Sequence, residues 1–173
     1  MSRKAISFGL SEQELDRAIR ELEQYKQYII RKTELLRKKI AEKLAEEAQS
    51  GFTGAIVDDL LRGGVKTAEV EVRVNPGDNI SVVIAKGKDA VWVEFGAGVY
   101  HNGSAGSSPH PKGTELGFTI GGYGKGRGKR QVWGYRKDGE LKLTHGTPAV
   151  MPMYNAMKIV CDEIADIARE VFM

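Results

Sequence analysis

The chain has a single cysteine, Cys161, and lacks any long apolar run. One cysteine excludes an internal disulfide, and no segment approaches the roughly 20 apolar residues that a transmembrane helix requires. The first residues, MSRKAISFGLSEQEL, include cations but no apolar stretch of signal-peptide length. These absences predict a protein that contacts no membrane, is not secreted and assembles in a reducing cytoplasm.

Residue types that perform catalysis or bind metals are also scarce. The three histidines, His101, His110 and His145, are not paired at helical or zinc-finger spacing. Two of them, His101 and His110, fall in a glycine-rich loop where solvated histidines are common. Cys161 lies among the apolar positions of a predicted last helix and is expected to pack in the core rather than act as a nucleophile. We therefore expect no enzyme activity, no metal and no cofactor.

Glycine and positive charge, in contrast, are abundant in one region. Residues 96–128 contain 11 of the 21 glycines and show no periodicity. A structureless insertion of this length is usually functional or disordered. Its centre is GGYGKGRGKR, residues 121–130, and a phosphate-binding loop here would need Ser or Thr after Lys125 or Lys129, which neither has. The sequence predicts a single domain, residues 1–173, with a flexible basic insertion at about 96–130.

The cations of this insertion suggest two kinds of partner. The net charge of +3 is too small to indicate nucleic acid by itself. Within the insertion, however, cations can contact phosphates and aromatic rings can stack on bases, while a flexible basic arm also suits an acidic protein surface. The residues concerned are Tyr123, Lys125, Arg127, Lys129, Arg130, Trp133 and Tyr135. The last two either pack on a sheet face or anchor an interface.

A long helix is predicted near the start of the chain. Ser11 followed by Glu14 forms a capping box, and apolar residues then recur at helical spacing until Ser50 and Gly51. A helix over residues 11–49 would be about 58 Å long, which exceeds the size of a compact domain of this length. We therefore expect it to break near residues 28–33 or to project outward. It then packs either on another subunit or over the protein's own sheet.

The remaining chain reads as a short helix, several strands and a last helix. Thr53 is expected to cap a helix that runs to Leu61. Alternating apolar residues predict strands at 70–74, 80–84 and 90–95, and QVWGYR–KDGE–LKLT predicts a hairpin. Pro148 and Pro152 precede the last helix. The predicted fold class is α+β, an antiparallel sheet of about four to five strands flanked by a long N-terminal helix and a C-terminal helix.

Three short motifs also occur in order: FTGAIVDDL at 52–60, VWVEFGAG at 91–98 and HGTPAVMPMYNAM at 145–157. Followed by an amphipathic helix, they resemble the minor tail component, or tail-completion, proteins of long-tailed bacteriophages. The resemblance covers roughly residues 50–173. The family commonly has Thr and Phe where this chain has Ala97 and Met153, both at packing positions. The matching residues are Thr53, Gly54, Val93, Glu94, Phe95, Gly96, Pro148 and Pro152, and Met153 matches only in being bulky.

The resemblance implies a non-enzymatic structural role in the virion, at the neck, after assembly in the host cytoplasm. Such a protein completes the tail or joins it to the head. The implied partners are further copies in a ring-shaped homo-oligomer, the head-closure or connector protein and the tail tube protein, with DNA as another contact of the basic insertion. Glu94 is expected to be a half-buried structural residue that pairs with a cation. The alternative hypothesis is a nucleic-acid-binding module that uses the basic glycine-rich loop.

Overall fold

The structure is a computed structural model, and it describes residues 9, 11–59, 64–96, 108–113, 115–118, 133–144 and 146–173. Within these ranges it contains three helices and six strands. The helices are α1 (Glu12–Thr53), α2 (Ala90–Phe95) and α3 (Pro152–Phe172). The strands are β1 (Ile56–Asp59), β2 (Gly64–Thr67), β3 (Glu71–Pro76), β4 (Ser81–Lys86), β5 (Trp133–Lys137) and β6 (Glu140–Thr144). A mixed helix and sheet protein with long N- and C-terminal helices is thus confirmed.

Helix α1 is continuous over its 42 residues, about 63 Å. The predicted N-terminal cap is present in part: the Glu14 N–H donates to Ser11 Oγ at 3.4 Å, but the Glu14 carboxylate accepts from the Ser11 hydroxyl, at 2.8 Å, where a capping box would use the Ser11 N–H. The predicted break near residues 28–33 is wrong, because regular helix runs through this segment. Thr53 does not cap a second helix either; it belongs to the last turn of α1, where its hydroxyl donates to the Gln49 carbonyl at 2.8 Å.

Helix α3 packs antiparallel against the C-terminal part of α1. At one end of the contact Gly51 lies against Pro152, so closely that a Cβ atom on the glycine would approach the proline Cβ to 2.9 Å. At the other end Lys32 donates to the Val171 carbonyl. The preceding residues of α1, about 20 from Glu12 onward, therefore extend some 30 Å past the end of α3. Of the two outcomes expected for the long helix, projection is the one observed.

Ion pairs join the two helices along their contact. Lys39 Nζ lies 2.9 Å from a Glu170 oxygen, and Lys43 Nζ lies 3.3 Å from Glu163 and 3.2 Å from Glu47. The hydrogen bond from Lys39, reinforced by its charge, lowers the pKa of Glu170. The hydrogen bonds to Glu47 and Glu163 raise the pKa of Lys43. These pairs are solvated, so they set the register of α3 along α1 more than they stabilise the fold.

The strands form three separate antiparallel pairs, β1–β2, β3–β4 and β5–β6, rather than one sheet. The prediction of a single four- to five-stranded sheet is therefore wrong. The antiparallel pairing expected for consecutive strands is confirmed in β3–β4, and the predicted hairpin with its turn is confirmed in β5–β6. In the second, Asp138 and Gly139 have φ of 54° and 81°, the positive values that a two-residue turn between twisted strands requires. The segment after Thr53, expected to be helical, instead forms β1.

The segment AVWVEF forms helix α2, although its alternation of valine with larger residues predicted a third strand. Its buried residues are Ala90, Val93 and Glu94, which is the i, i+3, i+4 spacing of one helix face. Tertiary packing therefore overrides the strand propensity of the two valines. Because α2 takes the place of that strand, β4 gains no further partner among the described residues.

The core lies where the end of α1, β1 and α2 meet. Phe52, Ala55, Val57, Ala90 and Val93 form one buried cluster, and Met153 of α3 packs on it. The amide of Gln49 connects α1 to β3: it accepts from the Val72 N–H at 2.7 Å and donates to the Val70 carbonyl at 3.2 Å. This core holds α2 against the first turn of α3, which is where the candidate site lies.

Candidate functional site

The carboxylate of Glu94 is the centre of the site, and it is almost completely buried. One oxygen accepts a hydrogen bond from the Met153 N–H at 2.8 Å, and the other accepts from the Tyr154 N–H at 3.0 Å. The second oxygen also lies 3.3 Å from Nε2 of His110. A buried carboxylate is costly unless it is hydrogen-bonded, and the two backbone donors meet that requirement. We call Glu94, His110, Met153 and Tyr154 the Glu94 junction.

The first turn of α3 needs this carboxylate because it has no local cap. Its N-cap residue, Met151, is in the left-handed conformation (φ 58°, ψ 48°) and has no side-chain acceptor to offer. Pro152 follows at the first helical position, where its missing N–H does no harm. The next two N–H groups, those of Met153 and Tyr154, therefore point at Glu94, whose negative charge also interacts favourably with the positive end of the helix dipole.

The backbone of α2 reinforces the same connection. The Val93 carbonyl accepts from the Val150 N–H at 2.9 Å and from the Met151 N–H at 3.3 Å. Gly96 then ends α2 with φ 80° and ψ 159°, a conformation that residues with a Cβ atom rarely adopt. Two consecutive residues of α2, Val93 and Glu94, thus hold the segment that leads into α3 through four hydrogen bonds.

The third element of the junction is His110, which is also buried. Its Nδ1 accepts a hydrogen bond from the Lys112 N–H at 3.0 Å. A neutral imidazole with Nδ1 as acceptor carries its proton on Nε2, the nitrogen that lies 3.3 Å from the Glu94 carboxylate. The expectation that His110 is a solvated loop residue is therefore wrong. Glu94, expected to be half-buried and paired with a cation, is instead almost completely buried, and its contacts are two N–H groups of a helix start and a histidine.

Aromatic rings and a serine enclose the histidine. The His110 ring lies 4.4 Å from the Phe95 ring and 5.4 Å from the Tyr154 ring, and Phe95 stacks on Phe118 at 4.3 Å between centroids. The Ser108 hydroxyl donates to the Phe95 carbonyl at 2.5 Å and accepts from the His110 N–H at 3.2 Å. Both carboxylate oxygens of Glu94 and Nδ1 of His110 thus accept hydrogen bonds within the protein, and the bonds to the carboxylate fix the start of α3.

The family-motif residues lie around this junction. Gly54 follows the last turn of α1 next to the core, Phe95 and Gly96 complete α2, and Pro152 begins α3. Pro148 is exposed in the segment that leads to α3. Sequence reasoning missed Ser108 and His110, although Pro109 and Pro111 on either side of the histidine restrict the backbone and indicated an ordered loop.

The other candidate residues are not part of the junction. Tyr123, Lys125, Arg127, Lys129 and Arg130 lie outside the described residues. Trp133 and Tyr135 lie on β5, paired in register with Thr144 and Lys142 of β6. Cys161 is exposed on α3, so the prediction that it packs in the core is wrong.

Comparisons with protein-family models, with curated proteins and with solved structures found no match. Among the described residues, no group of three or more His, Cys, Asp or Glu side chains is arranged to hold a metal ion. Within the same ranges, no helix has both the length and the apolar character needed to cross a membrane.

Proposed function

We propose that this protein is a non-enzymatic structural protein of a long-tailed bacteriophage, which completes the tail or joins it to the head at the neck. In this proposal the protein acts in the virion, with further copies of itself, the head-closure or connector protein and the tail tube protein as partners. The resemblance carried by the three short motifs is the basis of the proposal. The structure contributes one observation in its support.

That observation is the spatial convergence of the motifs. The residues of VWVEFGAG and HGTPAVMPMYNAM are about 50 or more positions apart in sequence, yet the Glu94 carboxylate contacts the N–H groups of Met153 and Tyr154 directly. FTGAIVDDL contributes Phe52, Ala55 and Val57 to the core that Val93 shares. Motifs that matched by chance would not be expected to contact one another in the folded protein. Their meeting supports the interpretation that the motifs define a scaffold, with Glu94 as its structural link.

The proposal is tested by deleting the gene from the genome that carries it and imaging the particles that are released. We expect filled heads and tails that remain separate, or tails with an unfinished upper end, and restoration of joined virions when the gene is supplied in trans. Normal infectious particles from the deletion strain would contradict the proposal, as would a coding sequence that lies far from any capsid or tail gene.

The alternative, nucleic-acid binding through the basic insertion, is tested separately. A filter-binding titration of the purified chain with duplex DNA at several salt concentrations measures the affinity and its salt dependence. The variant with Lys125, Arg127, Lys129 and Arg130 changed to alanine is the comparison. A steep salt slope that this variant loses would favour the nucleic-acid function. Weak binding that the substitutions leave unchanged would favour the structural role.

A further inference from the structure

The part of α1 that extends past α3 carries an exposed apolar stripe. Leu15, Ile19, Leu22 and Tyr25 are 40%, 62%, 55% and 56% exposed, whereas Ala18, which lies between them, is buried at 5%. Their spacing of four, three and three residues places them on one side of the helix, and the half-buried Ile29 continues that side toward the domain. We call these five residues the α1 stripe. A helical segment of about 20 residues is only marginally stable alone in water, and an exposed stripe of this kind marks a surface that packs on another protein.

The charges beside the stripe change sign along the helix. Residues 12–16 contain three acids and no base, a net charge of −3, whereas residues 25–32 contain three bases and no acid, a net charge of +3. Of these three cations, Lys26 and Arg31 are exposed. Lys32, in contrast, donates to the Val171 carbonyl of α3.

Two copies of this helix have complementary charges when they pack antiparallel. Two parallel copies would place the acidic segments beside each other and the basic segments beside each other, which is unfavourable. Two antiparallel copies place the acidic segment of each beside the basic segment of the other. With the two-fold axis near Leu22, residues 12–16 of one copy face residues 28–32 of its partner, and the apolar stripes lie against each other.

We propose that the projecting half of α1 is a dimerisation surface, and that its occupant is the same segment of a second copy, packed antiparallel about a two-fold axis. Such an interface is isologous: each residue pair occurs twice, and the contact closes after two copies. It differs from the head-to-tail contact that a ring of more than two copies uses. The proposal does not rest on the neck function, because it follows from the exposure and charge of α1 alone.

The test is sedimentation analysis of the full chain over a wide concentration range. One helix pair about 30 Å long is a small interface, and interfaces below about 1,200 Å² are typical of weak association, so we expect a dimer with a Kd of roughly 10–100 µM. Substituting Ile19→Glu and Leu22→Glu together should weaken it by at least about 100-fold. Both side chains are exposed, so the variant should remain folded, which circular dichroism verifies.

The matched control is the double variant Ile80→Glu and Val82→Glu. These residues are 70% and 47% exposed and lie at and beside the β3–β4 turn, away from the α1 stripe. We expect it to dimerise like the unmodified chain. A chain that stays monomeric up to millimolar concentration would overturn the proposal. So would a dimer that the α1 variant does not weaken, or one that the control variant weakens equally.

Disulfide trapping tests the orientation. In a Cys161→Ser background, Leu22→Cys should cross-link to its own copy because both lie near the two-fold axis. Leu15→Cys should not, because its two copies would be about 20 Å apart at 1.5 Å per residue. Efficient cross-linking at both positions would indicate parallel helices and refute the antiparallel arrangement, as would cross-linking at neither. None of these outcomes alters the expected phenotype of the gene deletion, so the two proposals fail independently.

Discussion

Replacing Glu94 by glutamine tests whether a side chain of α2 determines the stability of α3. The substitution preserves size and shape but removes the negative charge and replaces one acceptor oxygen with an NH2 group. In the native protein both oxygens are acceptors, one for the N–H group of Met153 and the other for that of Tyr154, and Nε2 of His110 lies 3.3 Å from the second oxygen. In the variant, the amide NH2 must face one of these donors, and two donors cannot hydrogen-bond to each other.

The size of the effect follows from burial. A buried N–H that loses its acceptor costs about 1–3 kcal/mol. The loss of a negative charge at a partly buried helix N-terminus costs up to about 2 kcal/mol. The two terms overlap because they describe the same atoms, so we expect Glu94→Gln to lower the free energy of unfolding by about 2–4 kcal/mol. For a chain of this length that corresponds to a fall in Tm of roughly 5–15 °C.

Urea denaturation followed by circular dichroism measures this quantity. We expect a lower midpoint with an unchanged m-value, which signifies a change in stability and not in the surface exposed on unfolding. The control is Glu46→Gln on the exposed side of α1, which should change stability by less than about 0.5 kcal/mol. If Glu94→Gln were as stable as Glu46→Gln, the Glu94 junction would not hold α3 as described.

Three further predictions concern the helix contact, a turn and an ion pair. Gly51→Ala should stabilise the helix by about 1 kcal/mol through higher helix propensity, but the added Cβ would be overpacked against α3 at a cost of about 1–3 kcal/mol. Urea denaturation should therefore show a net decrease of about 1 kcal/mol in the free energy of unfolding. Gly54→Ala, with open space around it, should show none. Gly139→Ala should lose about 1 kcal/mol in the same assay, because φ is 81° there; unchanged stability would argue against the turn geometry. Lys39→Gln should raise the pKa of Glu170, measured by NMR titration, to its ordinary value. Because Lys39 lowers the pKa of Glu170, the pair stabilises the folded protein at pH values above the pKa that Glu170 has in the unfolded chain. This contribution is lost as the pH falls through the pKa of the folded state. An unchanged Glu170 titration in the variant would refute the pairing.

The parts of the fold that the sequence predicted correctly are those fixed by local interactions. The N-terminal cap of Ser11 and Glu14, the turn at Asp138 and Gly139 and the apolar periodicity of α1 each depend on residues within four positions of one another. These local preferences match the folded structure because tertiary packing does not oppose them. The same reasoning predicted a strand at residues 90–95, where tertiary packing does oppose the local preference.

The errors have a common physical origin in long-range contacts. Whether Val93 lies in a strand or a helix depends on Val150 and Met151, whose N–H groups bond its carbonyl. Whether His110 is solvated depends on Glu94 and Tyr154. Neither dependence is visible in a window of neighbouring residues. The prediction for Cys161 failed for a related reason: on the apolar side of α3 only some residues are buried, among them Val160 and Val171, whereas Cys161 is exposed.

One long-range contact, that of Glu94 with the start of α3, could nevertheless be predicted from the sequence, because the helix lacks an N-cap residue of its own. The helix that begins at Pro152 has Met151 in place of the Ser, Thr, Asp or Asn that usually caps a helix. Its first N–H groups are partly buried, and N–H groups away from water require acceptors. An uncapped start to a helix that packs in the core therefore predicts an acceptor from elsewhere in the chain. A carboxylate in an otherwise apolar segment is the natural source of that acceptor, and among VWVEF only Glu94 qualifies. A tertiary contact can thus be predicted from sequence by pairing a helix that lacks a cap with an isolated acid in an apolar segment. The Glu94→Gln measurement tests this general rule as well as its application to this protein.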